Sequence, residues 1–283
     1  MTSLQSESDA WQARLTLEVL RDQQRSRLGA RQHVGPLRVQ RPFYPEGEEV
    51  VHIYLLHPPG GLVGGDRLET QIRVRERASA LITTPAAQKL YRSAGKESSQ
   101  RTLLEVASGA SLEWLPAETI VFDGALSQQR TRIDLAEGAA CIAWDIGCLG
   151  RPASDLFFAR GRFGQELEIW RAGQPLLIER SSLEGGSSLL SERFGYGGFT
   201  VYGSLYAAPY ALDVAPALVK HLRAELSAVE GAEFAITALG SLVCVRALGS
   251  SVEVVRHVLI RAWQELRPIA IHRAPHVPRI WAT

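Results

Sequence analysis

The sequence is short of the residues that announce most chemistries. Its three cysteines, Cys141, Cys148 and Cys244, are odd in number and form no CxxC. A disulfide framework is therefore not expected, and a reducing compartment fits best. Lysine is nearly absent: of 31 basic residues only Lys89, Lys96 and Lys220 are lysines. The basic side chains are thus mostly arginines, suited to bidentate pairing and to interfaces. Excess charge is missing too, at a formal +1. That leaves no electrostatic reason to expect nucleic acid or an anionic membrane as partner. No apolar run approaches the ~18 residues needed to cross a bilayer. The opening MTSLQSESDAWQARL has neither the basic start nor the apolar core of a secretion signal. The expected location is cytoplasmic. What remains is ordinary globular material, 283 residues at 46% hydrophobic and 22% charged, enough to bury a substantial core in one or two domains.

The stretch HPPGGLVGGDR (57–67) resembles a phosphate loop and fails the tests for one. A Walker loop needs Lys and Ser/Thr after its second glycine; Asp66 and Arg67 stand there instead, and a carboxylate would repel phosphate. A dinucleotide fingerprint opens a helix, whereas Leu68, Thr70, Ile72 and Val74 alternate with polar residues as in a half-buried strand. VVHIYLL (50–56) before the loop is also strand-like. On local chemistry the segment is a long turn whose glycines allow positive φ.

Three segments share one plan: IRVRERASALITTP (72–85), LEVASGASLEWLP (104–116) and IDLAEGAACIAWD (133–145). Each is an alternating strand, a small-residue turn and a second strand. Val74, Val106 and Leu135 correspond, as do Ala78, Ala110 and Ala139. This predicts stacked β units sharing a continuous core, the alternative being an antiparallel meander with similar turns. Further strands are expected at 167–171, 175–180, 199–207 and 241–248.

Two helices are expected near the C-terminus. One starts at Pro216 and carries Leu218, Val219, Leu222, Leu226 and Val229 to Gly231. The other starts with a capping box of Ser250 and Glu253 and runs to Pro268, with Val254, Val255, Val258, Leu259, Ala262, Trp263 and Leu266 on its core face. EGGSSLLSERFGYGG (184–198) between strands and helices is expected to be mobile. The predicted class is mainly β: a stacked, solenoid-like sheet architecture with about two C-terminal helices. A single domain is expected, β-rich over 14–207 and α/β over 208–283, since the first part alone would leave sheet surface uncovered.

No nucleophile elbow or catalytic cysteine signature occurs. His272 and His276 have a ligand-like spacing, but Pro275 and Pro278 disfavour the helix that would bring them together. Solitary carboxylates in apolar surroundings stand out: Asp66, Glu118, Asp123, Asp145 and Glu179. Burying one without a partner is costly. Each is read either as one half of an ion pair, with Arg67 and Arg151 near in sequence, or as lining a hydrated passage.

Five stretches in order, LLHPPGGLVGGDRL (55–68), TTPAAQKLYRS (83–93), LEWLPAETIVFDGA (112–125), CLGRPA (148–153) and PRIWAT (278–283), resemble the UreD (UreH) family of urease accessory proteins. Departures are small: Gln88 and Leu90 for a commoner Thr and Phe, Ala117 for Gln, and His276 where a Cys often stands. The last argues against a metal role for that position. The resemblance implies a non-enzymatic chaperone with a β-rich, solenoid-like fold. It would bind the urease apoprotein and a UreF-type protein, which recruits a UreG-type GTPase, so that nickel enters urease. No cofactor is expected, since nickel passes through and GTP belongs to the partner. Asp66, Glu118, Asp123, Asp145 and Glu179 become weak transit ligands rather than a tight metal site. The alternatives are a β-solenoid adaptor without metal transit and a hydrolase using Asp66, His57 and a cysteine.

Overall fold

The computed structural model describes residues 10–210 and 216–282. The chain begins with a hairpin of β1 (Gln12–Asp22) and β2 (Arg25–Val34), then β3 (Arg38–Val39) and β4 (Val50–Leu56). From there it coils. β5 (Gly61–Leu62), β6 (Arg67–Val74) and β7 (Ser79–Thr83) lead into β8 (Gln88–Leu90), β9 (Ser98–Val106) and β10 (Ser111–Leu115). β11 (Thr119–Val121), β12 (Ala125–Leu135) and β13 (Ala140–Arg151) follow, then β14 (Leu156–Phe157), β15 (Gly161–Arg171) and β16 (Gln174–Glu184).

The strands sort into two sheets. The first has the order β16-β15-β12-β9-β6-β1-β2, parallel from β15 to β1 with an antiparallel strand at each edge. The second contains β13, β10, β7 and β4 in parallel, and the short β5, β8 and β11 stack in parallel alongside. This is the predicted solenoid. The repeat positions coincide in space: Val74 pairs with Val106 and Val106 with Leu135. Ala78, Ala110 and Ala139, all fully buried, sit at the stacked turns. The coils close on one another there, where the Ser111 N–H donates to Ala78 O and the Ala140 N–H to Ala110 O, each at 3.0 Å.

The glycine stretch is part of the coil. Gly61 lies so close to the next turn that a Cβ there would stand 2.7 Å from Lys89 O. Gly65 has φ +98, a conformation costly for residues with a Cβ.

The second sheet is extended by β17 (Val201–Ala208), β18 (Ala232–Leu239) and β19 (Leu242–Gly249), all antiparallel. Before β17, residues 184–198, expected to be mobile, form a hydrogen-bonded set of turns around α1 (Ser188–Ser191): the Tyr196 N–H donates to Leu189 O and the Gly198 N–H to Leu190 O, each at 2.9 Å. α2 (Pro216–Leu226) and α3 (Val252–Ile271) cover the outer face of the second sheet. β13 accordingly serves two cores by strict alternation. Cys141 and Ala143 face the first sheet, while Ile142, Trp144 and Ile146 face the helices. α3 sits close because β17 offers Gly203, where a Cβ would come within 2.7 Å of Val255.

Three helix details differ from expectation. α2 stops at Leu226, where the Val229 N–H closes a turn onto Leu226 O at 3.0 Å, so Val229 lies beyond the helix. α3 is capped by Ser251, whose hydroxyl accepts from the Val254 N–H at 3.4 Å, and not by Ser250. Ser250 is still held at the sheet end, where its carbonyl accepts from the Thr200 hydroxyl at 3.5 Å. The helix also runs through Pro268 to Ile271. The one hydrogen bond a helical proline forfeits is offset by burial of Ala270 and Ile271.

The last turns of α3 carry a buried charge cluster. Arg267 is fully buried and forms ion pairs with Glu46 at 2.7 Å and Glu113 at 2.9 Å. Glu113 also accepts from Trp263 Nε1 at 2.7 Å, and His52 Nε2 lies 2.7 Å from Glu46. Glu46 is held down at about 2 by its bonds to His52 and Arg267, against the opposing effect of burial. Arg267 also donates to the carbonyl of Ala274, and Trp281 Nε1 donates to Thr83 Oγ1 at 3.1 Å. The cluster thus fastens the C-terminal segment to the coil.

Candidate functional site

The space between the two sheets is not filled evenly. Strict register in the first sheet turns its inward residues into rows. One row is Leu17, Ile72, Leu104, Ile133 and Ile169, and it is dry. Each such side chain contributes about 1.5–3 kcal/mol by burial, so this end carries the stability. Two positions earlier along the strands the row becomes Thr70, Thr102, Thr131 and Leu167. Two earlier again it is Gln100, Gln129 and Gln165. The threonine and glutamine rows face a cavity of about 1050 Å³. Packing this end with apolar residues would stabilise it more, so the polar rows point to function.

Across the cavity the second sheet contributes Asp145, Tyr202 and Tyr206. Asp145 lies deep in the protein and is only partly exposed, because it opens on the cavity. Its Oδ2 accepts from Gln165 Nε2 at 2.8 Å, and Gln165 Oε1 in turn accepts from the Tyr202 hydroxyl. Burial raises the Asp145 pKa above its usual value, and the Gln165 bond only partly opposes this. Burial also pushes up the tyrosines, Tyr196 to about 12, with the Asp145 charge adding to the effect. Glu179 on β16 also lines the cavity; it accepts from the Tyr206 hydroxyl at 2.5 Å and pairs with Arg246. These bonds tie the two sheets together across the polar end.

The five carboxylates singled out in the sequence therefore separate. Asp145 and Glu179 share the cavity. Asp66 is buried, and its two oxygens accept from Trp11 N at 3.0 Å and Val63 N at 2.9 Å, which fixes the glycine loop. Asp123 lies toward the surface. It accepts from the Arg160 backbone at 2.8 Å and from Ala159 at 3.1 Å, and its pKa is lowered chiefly by the Arg160 guanidinium. Glu118 pairs with Arg256 of α3 beside a second, smaller pocket of about 210 Å³. Thr84, Pro85, Ala86, Ala87, Pro116 and Ala117 border both pockets, so a thin wall of two loops separates them.

The other candidates also stand apart. His57 lines the cavity. All three cysteines are free and buried, and burial raises their thiol pKa values, Cys148 and Cys244 to about 11. His272 stacks on Tyr210 with ring centroids 5.5 Å apart, and His276 meets His52 edge-on at 6.2 Å. Among the described residues no group of three or more His, Cys, Asp or Glu is arranged to hold a metal ion, and no helix is long and apolar enough to cross a membrane. The polar rows were missed in the sequence. Thr70, Thr102 and Thr131 recur at the repeat spacing, as Gln100 and Gln129 do, so aligning the coils residue by residue would expose them.

The fold and site define a β-solenoid with a partly open cavity between its sheets, which carries rows of threonine and glutamine and the carboxylates of Asp145 and Glu179. Residues 12–282 match the family model described as UreD urease accessory protein. The chain is 43% identical over 277 residues to "Urease accessory protein UreD" of Dechloromonas aromatica, covering 98% of this chain and 96% of that one. It is 44% identical over 278 residues to the protein of the same name from Alkalilimnicola ehrlichii, covering 98% and 93%. The protein of that name from Marinobacter nauticus is 45% identical over 261 residues, covering 91% and 86%. The chain belongs to the UreD family of urease accessory proteins, and its role lies in urease maturation.

Proposed function

We propose that this chain is a non-catalytic cytoplasmic scaffold that binds the urease apoprotein and assembles with UreF-type and UreG-type accessory proteins. Its cavity passes nickel toward the urease metallocentre. The reading rests on one observation above all: oxygen donors of graded strength follow one another through the polar end of the cavity, from the glutamine and threonine rows to Asp145 and Glu179. Several imidazoles or thiolates would bind Ni²⁺ tightly and release it slowly. A conduit needs weak successive ligands and water, as in ion channels. Nickel is cargo here, and GTP chemistry is assigned to the UreG-type partner, since the glycine stretch serves coil packing and lacks a Walker lysine.

An adaptor without transit would need no polar interior, so the threonine and glutamine rows weigh against it. The hydrolase reading finds no support in the geometry. Asp66 is committed to backbone donors, and the buried cysteines have no access to the thiolate. Co-expression tests the assembly half of the proposal. The tagged chain should retain urease subunits together with the UreF-type and UreG-type proteins on affinity resin. Recovery of the chain alone at equal expression would contradict it.

A further inference from the structure

Among the described residues six buried side-chain polar atoms have no hydrogen-bond partner, and three of them lie together: His57 Nδ1, His57 Nε2 and Gln88 Nε2. Both residues line the cavity. Leaving a buried polar group unpaired costs about 1–3 kcal/mol. Such a cost persists where the group meets something the protein does not itself supply, ordered water or a ligand.

The glycine loop is built around this arrangement. The Gly60 N–H closes a turn onto His57 O at 2.7 Å, and the Lys89 N–H donates to Gly60 O at 3.3 Å. β5 then pairs with β8, which carries Gln88. Asp66 pins the far end of the loop through Val63 N. Loop and strand together present one imidazole and one amide to the cavity. His57 is the only histidine among the described lining residues, and no cysteine lines the cavity. Burial lowers its pKa; the Gln88 side chain, near the ring but outside hydrogen-bond geometry, and the Asp66 charge raise it less, so the neutral ring keeps a lone pair at neutral pH.

We propose that His57 is the nitrogen way-station of the cavity, a transient ligand for a hydrated divalent transition-metal ion, with the Gln88 side chain holding one of the ion's water ligands. The proposal deepens the transit reading and rests on it. Imidazole suits nickel and its neighbours, while magnesium and calcium keep to oxygen. A single nitrogen donor among oxygens therefore selects the class of metal without trapping it. The amide oxygen and nitrogen of Gln88 are interchangeable by a flip of the group, so its partner can be a donor or an acceptor.

Imidazole ¹⁵N resonances of the full-length protein, titrated with Ni²⁺, test this directly. The His57 signals should broaden at substoichiometric Ni²⁺ and stay sharp in Mg²⁺ at the same concentration. Gln88→Leu should weaken the Ni²⁺ response about tenfold, as removal of an outer-sphere partner does. In His57→Gln the remaining histidines should respond only at higher metal. Broadening confined to the other six histidines, His33, His52, His221, His257, His272 and His276, in the wild type would overturn the proposal. Nickel delivery by Asp145→Leu, measured in parallel, separates the two ideas. If that variant delivers poorly while the His57 signals ignore Ni²⁺, the imidazole proposal alone falls. Full delivery by Asp145→Leu removes the transit reading, and the role of His57 with it.

Discussion

Asp145→Asn should stabilise the protein at neutral pH and damage its function. Burial holds the folded-state pKa of Asp145 above its unfolded value. The folded state therefore binds this proton more firmly than the unfolded chain does. The favourable contribution is complete below the ordinary carboxylate range and is lost as pH rises through the raised value. Each pKa unit of displacement is worth about 1.4 kcal/mol, and for a chain of this size about 1 kcal/mol moves Tm by roughly 2–4 °C. Asparagine keeps the acceptor for Gln165 Nε2, now 2.8 Å from the carboxylate, so that bond changes by no more than about 1 kcal/mol. Thermal unfolding of both proteins from pH 4 to pH 8 is the assay. The curves should converge at the acid end and part as pH rises through the raised Asp145 pKa, with the variant higher. A variant that loses the same Tm at every pH would refute the reasoning, because Asp145 would then be a structural anchor and its burial would cost nothing.

Asp66→Ala leaves the Trp11 and Val63 amides without their acceptor, and should lower stability by about 2 kcal/mol, read as a shifted urea midpoint at unchanged slope. Arg267→Met removes the buried guanidinium and leaves Glu46 with only His52 and Glu113 with only Trp263 Nε1 as partner. The expected loss is about 3–5 kcal/mol, with faster proteolysis of residues 272–282, and Glu113→Gln in the same chain should recover part of it. Gly203→Ala forces a methyl against Val255 and Leu259; about 1–3 kcal/mol of overpacking should appear as a lower Tm, with the first-sheet amides still protected from exchange.

The coils were legible because a solenoid repeats its burial pattern, and segments 72–85, 104–116 and 133–145 keep it through their small-residue turns. β4 emerged from its β-branched run at the same bounds, 50–56. β12 was visible only in its last three residues, 133–135. Residues 127–132 read SQQRTR, polar on both faces, because one face meets solvent and the other meets the cavity. β2 and β18 are mostly exposed edge strands and went unread for a related reason, whereas β1 carries a plain alternation of Ala13, Leu15, Leu17 and Val19 that was overlooked. Of the site, Asp145 and Glu179 stood out as carboxylates among apolar neighbours. Nothing local distinguished them from Asp66 or Asp123, whose partners are backbone groups and an arginine brought in by the fold. Tyr202 and Tyr206 looked like ordinary strand residues, since only the facing sheet reveals their hydroxyls as cavity groups.

The central claim is that the interior of this chain carries nickel, and Asp145→Leu tests it most directly. Urease apoprotein would be activated with the purified accessory complex carrying either the wild-type chain or this variant. Nickel per urease active site and recovery of the complete complex would be measured on the same samples. The account predicts an intact complex that delivers much less nickel, because leucine removes an oxygen ligand and displaces water from the polar end of the cavity. Wild-type nickel loading by an intact variant complex would contradict it, as would loss of the complex in step with loss of activity.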